Sequence, residues 1–272
     1  MSEPRITRRR FLTLLPAALL AALGGKMYWN VYRPVVSRHR IEVAGLARPL
    51  RAVQLSDLHY GPYIGEESLD AWAELAAAEN PDLILITGDF VDHWLDSDLA
   101  PLGRALARLR APLGIWGVWG NHDRVRFPDI HVLQHVLEDA GIQLLTNQGQ
   151  MVRDDFYLAG VDDLLTATPD LRAALTDQPR AAASMLLSHN PDLLPYVPED
   201  VGVTLCGHTH GGQVVLPYLG APVTSSRFGQ QFLSGWVFAP ARAFVSRGLG
   251  ATLLPIRLDC PPELAVIDLL PG

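Results

Sequence analysis

Apolar residues along this chain fall into short runs that switch between two periods. Leu50-Arg51-Ala52-Val53-Gln54-Leu55 and Asp82-Leu83-Ile84-Leu85-Ile86-Thr87 are strand-like, the second almost wholly apolar, as in a strand buried on both faces. Gly114-Ile115-Trp116-Gly117-Val118-Trp119 is a third strand segment. Between and after these, residues 66–79, 99–109 and 130–140 carry helical spacing, and Gly141 is placed as a C-cap. From there on the predicted elements are mostly strands: 156–161, 185–188, 203–206, 213–216, 232–238, 243–246 and 264–269. A βαβ-like first half followed by a strand-rich second half predicts an α/β domain. The pattern fits both a doubly wound sheet and a two-sheet sandwich.

The first forty residues break this rhythm. Thr7-Arg8-Arg9-Arg10-Phe11-Leu12 sets paired arginines before an apolar run, 11–25, that contains Pro16. The run is shorter than the ~20 residues a spanning helix needs and matches a signal-peptide core better. The motif resembles a twin-arginine export signal; an N-terminal membrane anchor with a positive flank is the alternative. Either predicts the periplasm or the outer face of the cytoplasmic membrane, with the twin-arginine export machinery as a partner. Ala22-Leu23-Gly24 is a poor small-x-small cleavage site. Without cleavage, apolar character runs on through Met27-Tyr28-Trp29-Asn30-Val31-Tyr32, so residues 11–32 would hold the chain against a membrane. The expected organisation is an export signal or anchor plus linker at 1–40 and one catalytic domain at 41–272.

Charge sharpens that division. Residues 1–40 hold eight basic residues and one acidic residue, a charge of +7; the other 14 basic and 28 acidic residues give 41–272 a charge of −14. So acidic a body excludes general nucleic-acid binding, which needs clustered Lys and Arg. Phosphate chemistry on it requires a local cation, and a metal ion is the obvious one. Two cysteines in 272 residues exclude a disulfide scaffold and a Cys-rich zinc module. Cys206 reads as a buried free thiol, with a Cys206–Cys260 disulfide as the alternative in an oxidising compartment.

Candidate chemistry sits directly after the apolar strands. The clusters are Asp57-Leu58-His59, Gly88-Asp89, Gly120-Asn121-His122-Asp123, Ser188-His189-Asn190 and Gly207-His208-Thr209-His210. Open α/β sheets place ligands beyond the carboxyl ends of their strands. In an extended segment residues i and i+2 share a side, so Asp57 with His59, and His208 with His210, can each face one site. Carboxylate and amide oxygens mixed with imidazole suit Mn, Fe, Zn or Ni better than Ca. Taken singly, Asp89, Asn121 and Asp123 read as turn or capping residues; together the clusters read as a metal centre. His131 and His135 share one helical face without such context, so a solvated or packed helix face is expected there and not a third metal site.

The ordered series Asp-x-His, Gly-Asp, Gly-Asn-His-Asp, His, Gly-His-x-His over residues 50–215 resembles the calcineurin-like metallophosphoesterase superfamily. Ser56-Asp57-Leu58-His59-Tyr60-Gly61, Gly207-His208-Thr209-His210-Gly211-Gly212-Gln213 and the tail from Ser246-Arg247-Gly248-Leu249-Gly250 to Pro261-Pro262-Glu263 are similar to its exported YkuE-like bacterial branch. The resemblance implies a four-layer αββα sandwich of two mixed β-sheets flanked by helices. It also implies two divalent or trivalent metal ions: Mn, Fe, Zn or Ni. Asp57, His59 and His210 would hold the first, Asn121, His189 and His208 the second, and Asp89 would bridge both. His122 would be the catalytic histidine at the leaving oxygen, with Asp123 orienting its ring. A hydroxide held between the metals would attack phosphorus in line.

The implied activity is hydrolysis of phosphodiester or phosphomonoester bonds in a small molecule, the diester favoured. A pyrophosphatase acting on a lipid-linked envelope substrate such as UDP-diacylglucosamine is the alternative, to be marked by a nonpolar groove near Trp94 and Leu95. A non-catalytic metal-binding envelope protein is a remote third reading. His93 is a candidate for substrate contact, and Arg247 for gripping a phosphate or forming a structural ion pair. A small cap over 125–141 is a further expectation.

Overall fold

Strands form where the short apolar runs lie, and the two faces of each run enter different cores. The computed structural model describes residues 8–96 and 98–272; Thr7, the first residue of the paired-arginine motif, lies outside the described residues. The strands are β1 Val35–Val43, β2 Leu50–Leu55, β3 Leu83–Thr87, β4 Ile115–Val118, β5 Ile142–Leu144 and β6 Gln148–Arg153. They continue with β7 Phe156–Gly160, β8 Ala183–Leu187, β9 Val203–Cys206, β10 Gly235–Phe238, β11 Arg242–Val245 and β12 Glu263–Pro271. The helices are α1 Arg8–Asn30, α2 Glu66–Ala78, α3 Ala100–Leu106, α4 Asn121–Arg126, α5 His131–Asp139 and α6 Leu171–Leu175.

Two six-stranded sheets result, in the orders β1-β12-β2-β3-β4-β5 and β10-β11-β9-β8-β7-β6. Both are mixed. In the first, β2 to β5 run parallel and β12 is antiparallel to β2. In the second, β7, β8, β9 and β11 run parallel, with β6 and β10 antiparallel at the edges. Side-chain alternation then builds the layers. Leu83 and Leu85 of β3 meet Phe156, Leu158, Met185 and Leu205 between the sheets. Ile84 and Ile86 point the other way, onto Trp72 of α2, Leu102 of α3 and Leu137 of α5. Beyond the second sheet, Tyr157, Ala159 and Leu186 pack with Ala174 of α6. This is the αββα sandwich and not the doubly wound sheet.

Several expectations change. β1 starts at Val35 and pairs along its length with β12, so the boundary placed at 40/41 cuts a strand of the first sheet. Its run of Arg38, His39 and Arg40 hid it, because its polar residues lie on an edge strand. Residues 213–216 form no strand: Gln213 has φ 56° and only single bridges tie Val214 to Leu258 and Leu216 to Gly220. Residues 125–141 form no cap; Leu133 and Leu137 bury α5 against the first sheet. His131 and His135 are exposed, and Gly141 takes φ 87° after α5 as a C-cap requires. Cys206 and Cys260 are both free thiols. α1 has 23 residues with Pro16 inside it, and among the described residues no helix is long and apolar enough to cross a membrane.

Candidate metal centre

All five polar clusters follow parallel strands, and both sheets deliver them to one end of the sandwich. Asp57 and His59 follow β2, Asp89 follows β3, Asn121 and His122 open α4 after β4, His189 follows β8, and His208 and His210 follow β9. Hydrogen bonds sew the loops together across the sheets. Gln54 Nε2 donates to the Cys206 carbonyl at 2.9 Å, and the His208 amide donates to Asp57 Oδ1 at 2.9 Å. The Asp57 and His59 amides donate to the Gly88 and Asp89 carbonyls, both at 3.0 Å.

The turns are tight. Asp57, His59, Asp89, His208 and His210 all have φ between 49 and 72°, a sparsely populated region for such residues that recurs at functional sites. Glycines make room beside them. A Cβ on Gly207 would run into Ser56 Oγ and stand 2.5 Å from Asp57 Oδ2; one on Gly120 would overlap the Asp89 carboxylate.

Two half-sites share one oxygen. Asp89 Oδ2 is 3.4 Å from His59 Nε2 and 3.3 Å from His189 Nε2. On one side, His210 Nε2 is 3.0 Å from His59 Nε2 and 3.5 Å from Asp57 Oδ1. On the other, Asn121 Oδ1 and His208 Nδ1 each lie 3.2 Å from His189 Nε2. The second oxygen of Asp89, Oδ1, accepts from the His122 amide at 2.9 Å and so fixes the carboxylate plane.

The donor set fits two first-row metal ions. Donors ~2.0–2.2 Å from such an ion stand ~3.0–3.5 Å from one another, which is the spacing seen. Ring protons are committed elsewhere: His59 Nδ1 pairs with Asp92 Oδ2 at 3.2 Å, and His189 Nδ1 with the Thr87 carbonyl at 2.8 Å. Both Nε2 atoms therefore face Asp89 Oδ2 across a gap that needs positive charge. Burial disfavours charge on His189, yet Asp89 outweighs it and pushes its pKa up to about 10. Asp89, although buried, is held well below the usual carboxylate range by His189 and the neighbouring histidines. Burial and the adjacent cationic groups push His210 well down, and burial with His189 lowers His208. Neutral imidazoles are the form that binds metal, and metal would displace the protons that His59 and His189 otherwise hold.

Asp123 does not sit where the sequence placed it. Oδ1 accepts from the Val91 amide at 3.1 Å and Oδ2 from the Gly120 amide at 2.9 Å, so the carboxylate closes the start of α4 rather than orienting His122. Burial and the neighbouring Asp89 push its pKa up to about 7. His93 takes the place beside His122 instead: the two Nδ1 atoms are 2.7 Å apart. Arg247 pairs with Glu263 at 3.0 Å, which is the structural ion pair.

Two residues of the site escaped the sequence reading. Asp92 is buried and holds His59, the outer-shell role that fixes a ligand's tautomer; its only signal is its place three residues after Asp89. Arg257 is fully buried, and its guanidinium gathers the carbonyls of Arg247, Gly248, Gly250, Cys260 and His210. Nothing in its local sequence marks it: the chain folds back so that the 247–250 and 260 carbonyls and the remote His210 carbonyl meet around it. Each orphaned buried acceptor costs ~1–3 kcal/mol, so Arg257→Ala is expected to lose about 3 kcal/mol or more of stability. Urea unfolding of the metal-free chain checks this; a loss below about 1 kcal/mol would mean the loops do not depend on it.

A two-sheet sandwich that converges imidazole, carboxylate and amide donors at one end defines a candidate metal-dependent enzyme. A sequence profile of calcineurin-like phosphoesterases matches residues 50–212, and the chain belongs to that family, hydrolases acting on phosphoric ester bonds. Phosphodiesterase YaeI of Escherichia coli (strain K12) is 30% identical over 97% of this chain and 100% of its own length. The uncharacterized metallophosphoesterase YkuE of Bacillus subtilis (strain 168) is also 30% identical, over 97% of this chain and 98% of its own. UDP-2,3-diacylglucosamine pyrophosphatase LpxG of Chlamydia trachomatis is 27% identical over 90% of this chain and 88% of its own.

Proposed function

We propose that the chain is a dimetal phosphodiesterase that works at the cell envelope. The carrying observation is the shared atom: Asp89 Oδ2 lies within 3.4 Å of a histidine from each half-site. Asp57, His59 and His210 would hold one ion and Asn121, His189 and His208 the other, with Asp89 placed between the two sets. Bound metals supply an activated water and offset charge on the phosphoryl oxygens. The chain's own residues do the rest.

His122 faces the leaving oxygen. Its Nδ1 receives the His93 amide at 3.4 Å and stands 2.7 Å from His93 Nδ1. The amide donor at Nδ1 puts the His122 proton on Nε2. Burial, against the pull of Asp89, lowers the pKa of His122 to about 4, so the ring is neutral and Nε2–H is the hydrogen bond it offers. His93 sets that tautomer. His93→Ala is expected to lower kcat about tenfold, as loss of an orienting partner does. The deficit should widen from p-nitrophenyl to alkyl leaving groups, whose oxygen carries more charge and gains more from the hydrogen bond. An equal deficit for all leaving groups would assign His93 a packing role only.

Envelope location rests on the +7 charge of residues 1–40 and the paired arginines. Similarity to LpxG favours a second reading, hydrolysis of a lipid-linked pyrophosphate. The full chain, stripped of metal and given Mn, Zn, Fe, Ni or Mg singly, tests the first reading on bis-p-nitrophenyl and p-nitrophenyl phosphate. Metal-restored turnover, faster on the diester, is the expected result. Two bound ions without turnover on either ester would shift the assignment to the lipid-linked pyrophosphate.

A further inference from the structure

Of the two residues expected beside a nonpolar groove, Trp94 is exposed and Leu95 is buried. An apolar groove lies beside His210. It has a volume of about 200 Å³, with Pro222 and Val223 on one wall, Leu253, Leu254 and Ile256 on the other, and His210 among its lining residues. His210 is 4% exposed, whereas Val223, Leu253 and Leu254 are 66%, 69% and 58% exposed, so the groove opens to solvent at its apolar residues and has one buried histidine of the metal centre in its lining. Leu253 also holds φ 62°, a strained setting for a bulky residue, which turns the leucine pair outward.

The leucine wall is joined to α1. The Arg257 amide, next to Ile256, donates to the Met27 carbonyl at 2.9 Å, and Asn30 Nδ2 donates to the Arg257 carbonyl at 3.1 Å. α1 exposes Leu19, Leu20, Leu23, Tyr28 and Trp29. Near its end, Arg33 lies 5.1 Å over the Trp29 ring, and Lys26 is exposed. Apolar residues followed by aromatics and cations match the depth profile of an anionic bilayer surface. Exposed apolar surface that continues from such a helix into a groove marks a site for an apolar ligand.

We infer that this groove is a hydrocarbon subsite: it takes the alkyl or acyl chain of an amphiphilic phosphoester whose phosphate lies at His210 and its partners. The inference rests on the phosphoesterase reading and names its substrate class. A substrate of this kind keeps its chain against α1 and the leucine wall, and only its phosphate enters the polar centre.

The test is a series of p-nitrophenyl alkyl phosphodiesters, methyl to octyl, given to the metal-loaded full chain below micelle-forming concentrations. Each methylene that leaves water is worth about fourfold, so kcat/KM is expected to rise at least about 30-fold from methyl to octyl. In L253S/L254S and, on the other wall, V223D, that gain should drop below about fivefold. The gain is a ratio within one sample and does not depend on the fraction folded. Octyl phosphate added to the metal-free chain should also shift the Leu253 and Leu254 methyl resonances. No rise with chain length, a rise that both variants retain, or unshifted leucine methyls would overturn the subsite while leaving the phosphodiesterase reading standing. Failure to cleave any ester of the series, octyl included, would remove the phosphodiesterase reading, and with unshifted leucine methyls it would remove the subsite too.

Discussion

His122→Ala is expected to lower phosphodiester turnover by about 10²–10³-fold, the range for losing one positioned hydrogen-bond donor to developing charge, while the protein keeps about two metal ions per chain. The reasoning is geometric. His122 lies within ligand reach of His59 and Asp89, yet its Nδ1 is occupied by His93 and its amide anchors Asp89 Oδ1. The amide survives the substitution, so the carboxylate keeps its plane. What disappears is the Nε2–H. Metal analysis beside steady-state kinetics checks this, and loss of an ion together with activity would make His122 a ligand.

Asp89→Asn acts on the other term. The amide keeps the size of the side chain and removes the negative charge that both half-sites share. His59 and His189 then face a neutral group, and a proton or metal in either gap loses its counter-charge. Outer-shell changes alone cost 10–100-fold in metal affinity, so loss of the shared ligand is expected to cost at least about 100-fold at both positions. Dialysis against a chelator of matched strength should leave this variant essentially metal-free while the unsubstituted chain keeps its ions. Retention of two ions would refute the bridging role.

The convergence of these side chains was largely legible in the chain because each donor cluster is local. Asp57 and His59, or His208 and His210, are neighbours in sequence, and each short cluster announces its strand end. β3 was legible for a similar reason: a run apolar on both faces has one home. The unread parts depend on distant partners. β1 carries polar residues on an edge, and only its pairing with β12 makes it a strand. Asp123 stood next to His122 in sequence and was assigned to it, but helix geometry turned it toward the Gly120 and Val91 amides. Arg257 braces loops whose meeting no local pattern foretells. The groove beside His210 combines segments 222–223 and 252–256, and neither is apolar enough alone to mark a site.

The central claim is a pair of metal ions sharing Asp89, and titration of the metal-free full chain tests it most directly. Mn²⁺ or Zn²⁺ is added stepwise, and bound metal and bis-p-nitrophenyl phosphate turnover are read on the same samples. Binding should saturate at about two ions per chain, with turnover rising chiefly as the second is taken up. Saturation at one ion with full turnover, or no binding at all, would contradict the claim.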